Sequence, residues 1–185
     1  IALHFLLTNP YGKNTDDGEV IIGSNVYIGA PVLKQVCDSL WKELHDCRIA
    51  LLCTEYAWLA AYFEITKTRV QVKGFEQQWF ISQIALGNTD SVAIAGKHRY
   101  WQMVIVDEAS GVKDAHYNVI TGTSTQGGNK IILLSQGTRN VGYFYETHNR
   151  LSVRNGGVWD NLVFSSEDSP FVEKKWLIER MAEAG

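Results

Sequence analysis

Three observations lead the sequence to predict an α/β domain of three layers around a largely parallel sheet. Strand-like and helix-like segments alternate along the chain, the pattern of helices packed on both faces of a sheet. Met103-Val104-Ile105-Val106 and Ile131-Ile132-Leu133-Leu134 are short, unbroken apolar runs, as expected of strands covered on both faces. No internal repeat, low-complexity tract or linker divides the 185 residues, a length suited to one domain with a sizeable core.

Ile1 to Thr8 is apolar apart from His4 and a terminal Thr, and runs into Asn9-Pro10. It is predicted to be the last turns of a helix, because the residue before a proline is driven out of the α region. It is too short to span a bilayer and has no basic segment before it, so it reads as neither signal peptide nor membrane span. Its start without Met reads as the interior of an element that begins upstream. Tyr11 to Glu19, with Gly12, Asn14 and Asp16-Asp17-Gly18, is predicted to be a loop.

Val20-Ile21-Ile22 and Val26-Tyr27-Ile28 are β-branched and aromatic pieces around Gly23-Ser24-Asn25, giving at least one strand before Gly29-Ala30-Pro31. Val32, Leu33, Val36, Leu40 and Leu44 then recur at helical spacing, with Gln35, Asp38 and Lys42 opposite. A second helix is expected over Leu51 to Phe63. Arg69 to Lys73 and Gln78 to Ser82 flank Gly74-Phe75-Glu76-Gln77 as the arms of a hairpin. Lys113 to Ile120 is expected as a crossover helix and Thr121 to Asn129 as a glycine-rich loop. Val158 to Phe164 is a last strand candidate, and Ser169-Pro170 reads as the N-cap and first residue of a helix running to about Ala184.

The net charge of −3 rules out a global positive field for nucleic acid, so any such contact needs a local patch. Cys37, Cys47 and Cys53 are an odd count without CxxC spacing, and no His lies near them in a zinc-finger arrangement, which points to reduced, buried thiols rather than a metal site. Of the tryptophans, Trp41 and Trp176 sit at helical positions beside apolar residues and Trp79 alternates in the hairpin. Packing rather than base stacking is their expected role.

The sharpest local feature is the run Met103 to Val106 followed by Asp107-Glu108. A buried strand that delivers two adjacent carboxylates at its carboxyl end has the form of a Walker B motif. The first acid then holds a Mg²⁺ that bridges nucleotide phosphates, and the second activates a water. An ordinary strand ending in a solvated acidic turn fits this segment equally well. Ile131 to Leu134 likewise ends in Ser135-Gln136, either a polar strand terminus or a pair that senses a γ-phosphate.

The order of several segments carries more. Tyr27-Ile-Gly-Ala-Pro-Val-Leu-Lys-Gln35 is followed by Leu40-Trp-Lys-Glu43, Phe63-Glu-Ile-Thr-Lys-Thr-Arg69 and Ile105-Val-Asp-Glu-Ala-Ser-Gly-Val112. Leu134-Ser-Gln-Gly-Thr-Arg139, Gly142-Tyr-Phe-Tyr145 and Ser165-Ser-Glu-Asp-Ser-Pro170 complete the series. Together they resemble the phage terminase large subunit and its prophage relatives over nearly the whole chain. The resemblance implies that residues 1–185 are a partial ATPase domain, a three-layer P-loop NTPase core of RecA-like (ASCE) type. It also implies ATP and Mg²⁺ as ligands, with Asp107 the Mg²⁺-associated and nucleotide-binding aspartate and Glu108 the catalytic glutamate. Ser135, with Gln136, falls in the segment that couples hydrolysis to DNA movement. Ala30, Pro31 and Gln35 match an Ala-Pro-Thr-x-x-Gln-like segment.

The implied partners are double-stranded DNA, a terminase small subunit, a portal protein and further copies of the chain in a ring. The implied place is the cytoplasm of a bacterial host, at the procapsid portal, with no membrane association. Lys97, Arg99 and Arg139 are the candidates for an arginine finger or a DNA contact, since a cation offsets charge on a transferring phosphoryl group.

The chain departs from the family's pattern in three places. Gln136-Gly137 stand where relatives carry Asn-Pro, which softens the turn after Ser135, and Val32 replaces a threonine. No G-x-x-x-x-G-K-[ST] loop occurs, although such a loop holds the β- and γ-phosphates. The expectation is a chain truncated before Ile1, without its P-loop strand and inactive alone, and truncated after Gly185, without the nuclease domain. A helicase-like DNA-translocating ATPase shares the acid pair and the Ala-Pro segment. An ATPase-dead binding or structural module is consistent with the missing loop.

Overall fold

The computed structural model describes residues 1–13, 18, 20–87, 94–96 and 98–184. These fall into two compact units, Ile1–Tyr145 and Glu146–Gly185. The first opens with helix α1 (Ala2–Thr8), which ends at Asn9-Pro10 as the sequence predicts. Part of the expected loop is instead strand β1 (Tyr11–Lys13), paired antiparallel with β2 (Val20–Ile22). Strand β3 (Asn25–Ala30) leads into a continuous helical segment: α2 (Leu33–Gln35), a π-helical turn (Val36–Leu40) and α3 (Trp41–Leu52). The predicted helix boundary near Leu44 is overrun, and no second α-helix forms over Leu51 to Phe63. The Thr54 hydroxyl donates to the Leu51 carbonyl and accepts the Tyr56 amide, ending α3. A 3₁₀ turn (Ala57–Ala61) and strand β4 (Phe63–Ile65) follow.

Strands β5 (Arg69–Val72) and β6 (Phe80–Ala85) form the predicted hairpin. Strand β7 (Gln102–Val106) carries the acid pair at its end, helix α4 (Asp114–Thr123) is the crossover, and β8 (Lys130–Leu133) closes the series. The six-stranded sheet has the order β4-β5-β6-β3-β7-β8. Its β6-β3-β7-β8 half is parallel and its β4-β5-β6 half antiparallel, so the sheet is mixed.

Alternation sorts the side chains between the two faces, because successive residues of a strand point to opposite sides. Val26, Ile28, Val70, Val72, Ile81, Met103 and Ile105 pack against Phe5 and Leu6 of α1 and Trp41 and Leu44 of α3. Tyr27, Phe80, Ile84, Val104 and Val106 pack against Tyr117 and Ile120 of α4. Helices thus cover both faces, as expected. Strand β8 is the exception: Ile131, Ile132 and Leu133 are only half-buried. Their apolar run predicts full burial, but β8 has a strand on one side only among the described residues.

The short helix α1 is held as much by polar contacts at its end as by its buried side chains. The last carbonyls of a helix lack intrahelical partners. Here the Thr8 hydroxyl donates to His4 and the Asn9 amide to Phe5, each at 2.8 Å, and Trp79 Nε1 donates to Leu6 at 2.7 Å. Trp79 also fixes the turn before β3. Gly23 has φ +82°, and a Cβ there would sit 2.5 Å from Trp79 Cβ.

Several expectations about individual residues are overturned. The three cysteines are free and exposed rather than buried; on α3, which carries Cys47, Trp41 and Leu44 are the residues turned inward. In the second unit, Val158 to Phe164 forms no strand. Gly156 and Gly157 turn the chain so that the Val158 and Trp159 amides both donate to the Leu151 carbonyl, and Phe164 is 88% exposed. Ser169 does not cap a helix. Its hydroxyl accepts the Phe171 amide in a local turn, a bond that competes with helix initiation, while Ser165 caps a 3₁₀ turn (Ser166–Asp168). Helix α5 (Tyr143–His148) spans the boundary between the units, and α6 (Lys174–Ala184) begins later than predicted. Trp176 on α6 is exposed rather than packed.

The packing at Gly23 and at Tyr27 can be tested directly. Gly23→Ala meets both the positive φ and the Trp79 side chain and is expected to cost about 2–4 kcal/mol, read as a shift in the denaturant midpoint. Burial pushes the phenol of Tyr27 above its ordinary value, more than the Asn25 hydrogen bond and the charges of Arg69 and Arg99 lower it. The unfolded chain therefore loses this proton first, near 10.0, and binds fewer protons than the fold above that pH. Stability is fully present below that value and falls as pH rises through the folded value. Thermal unfolding followed from about pH 9 to 11 should show a shallower alkaline loss in Tyr27→Phe.

Candidate functional site

Parallel pairing aligns the carboxyl ends of β6, β3, β7 and β8 along one edge of the sheet. In open α/β sheets this is the edge at which ligands bind. The segments that leave it begin at Leu86, Pro31, Asp107 and Leu134. Their packing is close. A Cβ on Gly87 would lie 2.7 Å from the Pro31 carbonyl oxygen, and one on Gly111 would lie 3.1 Å from Pro31 Cγ. Pro31 of the Ala-Pro segment is thereby wedged against both neighbouring loops. The backbone of Gln35 lies in α2.

Asp107 continues the β3–β7 ladder, its amide donating to the Gly29 carbonyl at 2.8 Å. Its Oδ1 accepts the Glu108 amide at 3.0 Å. Glu108 then leaves the strand direction abruptly, with φ 51° and ψ 41°. It is the one non-glycine residue of positive φ among those described, and such a conformation costs roughly 1–2 kcal/mol for an L residue with a side chain. Strain of this kind persists only where surrounding contacts enforce it, and it concentrates at functional sites. The contacts are present: the Gly111 amide donates to Glu108 O at 2.9 Å, and the Ala109 amide to Leu134 O at 3.0 Å. The turn leaves the Glu108 side chain exposed at the edge and Asp107 half-buried beside it.

Hydroxyl groups join this turn to the segment after β8. The Ser110 amide donates to Ser135 Oγ at 3.1 Å, Ser135 Oγ donates to Ser110 Oγ at 2.8 Å, and Ser110 Oγ lies 2.9 Å from Thr138 Oγ1. The Gln136 carbonyl is 3.1 Å from Ser135 Oγ and accepts the Thr138 amide. Of the sequence-derived candidates, Asp107, Glu108, Ser135 and Gln136 thus lie in two adjacent turns. Arg139 follows in the same segment and, with Ser110, Lys113 and Tyr143, lines a hollow of about 110 Å³.

Arg99 lies elsewhere. Its guanidinium donates to the carbonyls of Ile22 and Gln78, which precede the amino ends of β3 and β6, at the far end of the sheet from Asp107. Burial pulls its pKa below the usual value, with Tyr27 acting in the opposite sense. Lys97 lies outside the described residues.

Several residues at the edge carry no signal in the sequence. Lys34, Asp38 and Ser39 line an open hollow of about 480 Å³ together with Val32, Asp107 and Glu108. Asp38 and Ser39 reach it from the π-helical turn, a feature often found at functional sites and without a signature in residue spacing. Tyr117 reaches back from α4 to the acid-bearing turn, its hydroxyl donating to the Ala109 carbonyl at 2.5 Å. No spacing rule connects these two, since the contact depends on how α4 packs.

No protein-family model matches the chain. A probable terminase large subunit of Enterobacteria phage P7 is 36% identical over 166 residues, 88% of this chain and 33% of that protein. Two crystal forms of the large terminase of a thermophilic bacteriophage match the fold. One has a TM-score of 0.58, and the other, a complex with ADP, has 0.57; each is 12% identical and covers 88% of this chain and 38% of the matched chain. The chain therefore spans about a third of the length of the phage P7 relative. Sequence and fold agree that it is a homologue of the phage terminase large subunit.

Proposed function

We propose that residues 1–185 are a partial ATPase domain, a P-loop NTPase of RecA-like (ASCE) type, in a motor that drives double-stranded DNA into a procapsid. The observation that carries this reading is the meeting, at one sheet edge, of Asp107 and Glu108 with the Ser110, Ser135 and Thr138 hydroxyls. Homology to the phage P7 protein supports the packaging role, and the ADP complex of the thermophilic phage's large terminase supports a nucleotide ligand.

The phosphate-binding loop is not among these residues. The open edge of β8 offers a place for its strand: pairing there would cover Ile131, Ile132 and Leu133 and bring the β- and γ-phosphates to the edge that holds Asp107. The oxygen donors fit Mg²⁺, which prefers hard ligands and keeps several waters. Oδ1 of Asp107 accepts the Glu108 amide, and the Asp107 carboxylate would hold the ion. Among the described residues no three His, Cys, Asp or Glu side chains form a metal cluster. Once bound, the ion offsets the charge that builds up on the phosphates.

Glu108 accepts a proton from the water that attacks the terminal phosphorus, while the bond to the bridging oxygen breaks and ADP departs. Its left-handed backbone turns the residue out of the strand line and leaves the carboxylate exposed at the edge. Ser135 and Gln136 report the loss of the γ-phosphate through the hydroxyl chain. Arg139 supplies a cation, to DNA or to the nucleotide of a neighbouring copy in a ring. The small subunit and portal are the remaining partners, in the cytoplasm of a bacterial host. No described helix is long and apolar enough to cross a membrane.

In the full-length protein, Glu108→Gln is expected to lower kcat for ATP by about 10²–10⁴-fold with KM little changed. Retained turnover removes Glu108 from the role of base. Ser135→Ala is expected to leave most ATP turnover in place while reducing the length of DNA packaged per ATP, measured in a packaging assay with purified procapsids. If the full-length protein neither binds nor hydrolyses ATP, the motor reading falls and a binding module remains.

A further inference from the structure

The peptide group between Ala109 and Ser110 is held at both edges by different parts of the chain. Its carbonyl accepts the Tyr117 hydroxyl from α4. Its N–H donates to Ser135 Oγ from the segment after β8. Tyr117 is 1% exposed, and its ring stacks on Tyr143 with centroids 4.5 Å apart and planes at 13°. Tyr143 in turn begins α5, and its amide donates to Asp114 Oδ1 at 2.8 Å. The residues that follow β8 therefore grip the acid-bearing turn twice, directly through Ser135 and indirectly through Tyr143 and Tyr117.

This arrangement bears on Glu108. Its strained backbone is one residue from the clamped peptide, which lies inside the turn that the Gly111 amide closes on the Glu108 carbonyl, so the clamp holds in place the turn that carries Glu108. Burial, then the charge of Asp114 and the neighbouring Tyr143, push the Tyr117 phenol well above its ordinary value. The hydroxyl is therefore a constant donor across any working pH. Ala109, the other partner, is fully buried, so no water competes for its carbonyl.

We infer that Tyr117 is a positioning residue, which fixes the Ala109–Ser110 peptide and so the aim of Glu108, and whose stack on Tyr143 transmits movement of residues 135–142 to that turn. The inference rests on the reading of Glu108 as the base. It differs from it in naming a buried group that touches neither nucleotide nor DNA.

Tyr117→Phe keeps the ring stack and deletes the hydroxyl, whereas Tyr143→Leu keeps the hydroxyl and deletes the stack. In the full-length protein, Tyr117→Phe is expected to lower kcat for ATP about tenfold, the worth of one such bond, with KM within about twofold. Exchange of the Ser110 amide with deuterium should speed up by a similar factor. Tyr143→Leu should show the same pattern more weakly, and Tyr143→Phe should restore it. Two results overturn the inference: wild-type kcat and Ser110 exchange in Tyr117→Phe, or a loss of activity matched by a fall in Tm with exchange accelerated throughout unit 1. Glu108→Gln measured in parallel separates the two ideas. If that variant still turns over, the base assignment fails, and Ser110 exchange alone decides whether Tyr117 holds the peptide.

Discussion

Parallel pairing of β3 with both β6 and β7 sets the geometry on which the rest of the first unit depends. Val26 lies opposite Ile81 on one side and Met103 on the other, and every residue of β3 is buried. This two-sided register levels the carboxyl ends of three strands, so that the turns after Ala30, Ala85 and Val106 crowd together. A slip of one residue would exchange the faces of every side chain in the strand. Tyr27 would then face α1 and α3, and Val26 and Ile28 would face α4. The close approach of Gly87 and Gly111 to Pro31 would also be lost.

The left-handed turn at Glu108 depends on that crowding. A short acidic turn in water would relax out of a conformation this costly for glutamate. It persists because the peptides on either side of it are engaged: Asp107 to Gly29, Ala109 to Leu134, Ser110 to Ser135 and Ala109 to Tyr117. The four partners come from three parts of the chain, so the turn stands at a junction of β3, α4 and the segment after β8. A site assembled in this way is exposed to movement in any of the three.

The contrast between Arg99 and Arg139 shows how topology decides among chemically equivalent candidates. Both are arginines in polar, glycine-containing stretches, and the sequence offers no reason to separate them. The fold sends Arg99 to the amino ends of β3 and β6, where it satisfies the carbonyls of Ile22 and Gln78. Arg139 follows the hydroxyl chain at the opposite edge. Strand β8 makes the same point about burial. Its apolar run specifies a covered strand, yet coverage needs a neighbour, and the described residues provide one on a single side.

The sequence by itself determined the α/β class, the hairpin of β5 and β6, the strand that delivers Asp107 and Glu108, and the kinship with terminases. These are recorded locally, in apolar periodicity, turn residues and the order of short motifs. Only the tertiary structure decided the left-handed backbone of Glu108, the Tyr117 contact to Ala109, the π-helical turn that brings Asp38 and Ser39 to the same hollow, and the irregular path of Val158 to Phe164. Each of these is settled by partners distant in sequence or by competing local hydrogen bonds. Apolar spacing records which residues prefer to leave water, and it does not record which neighbour they will find.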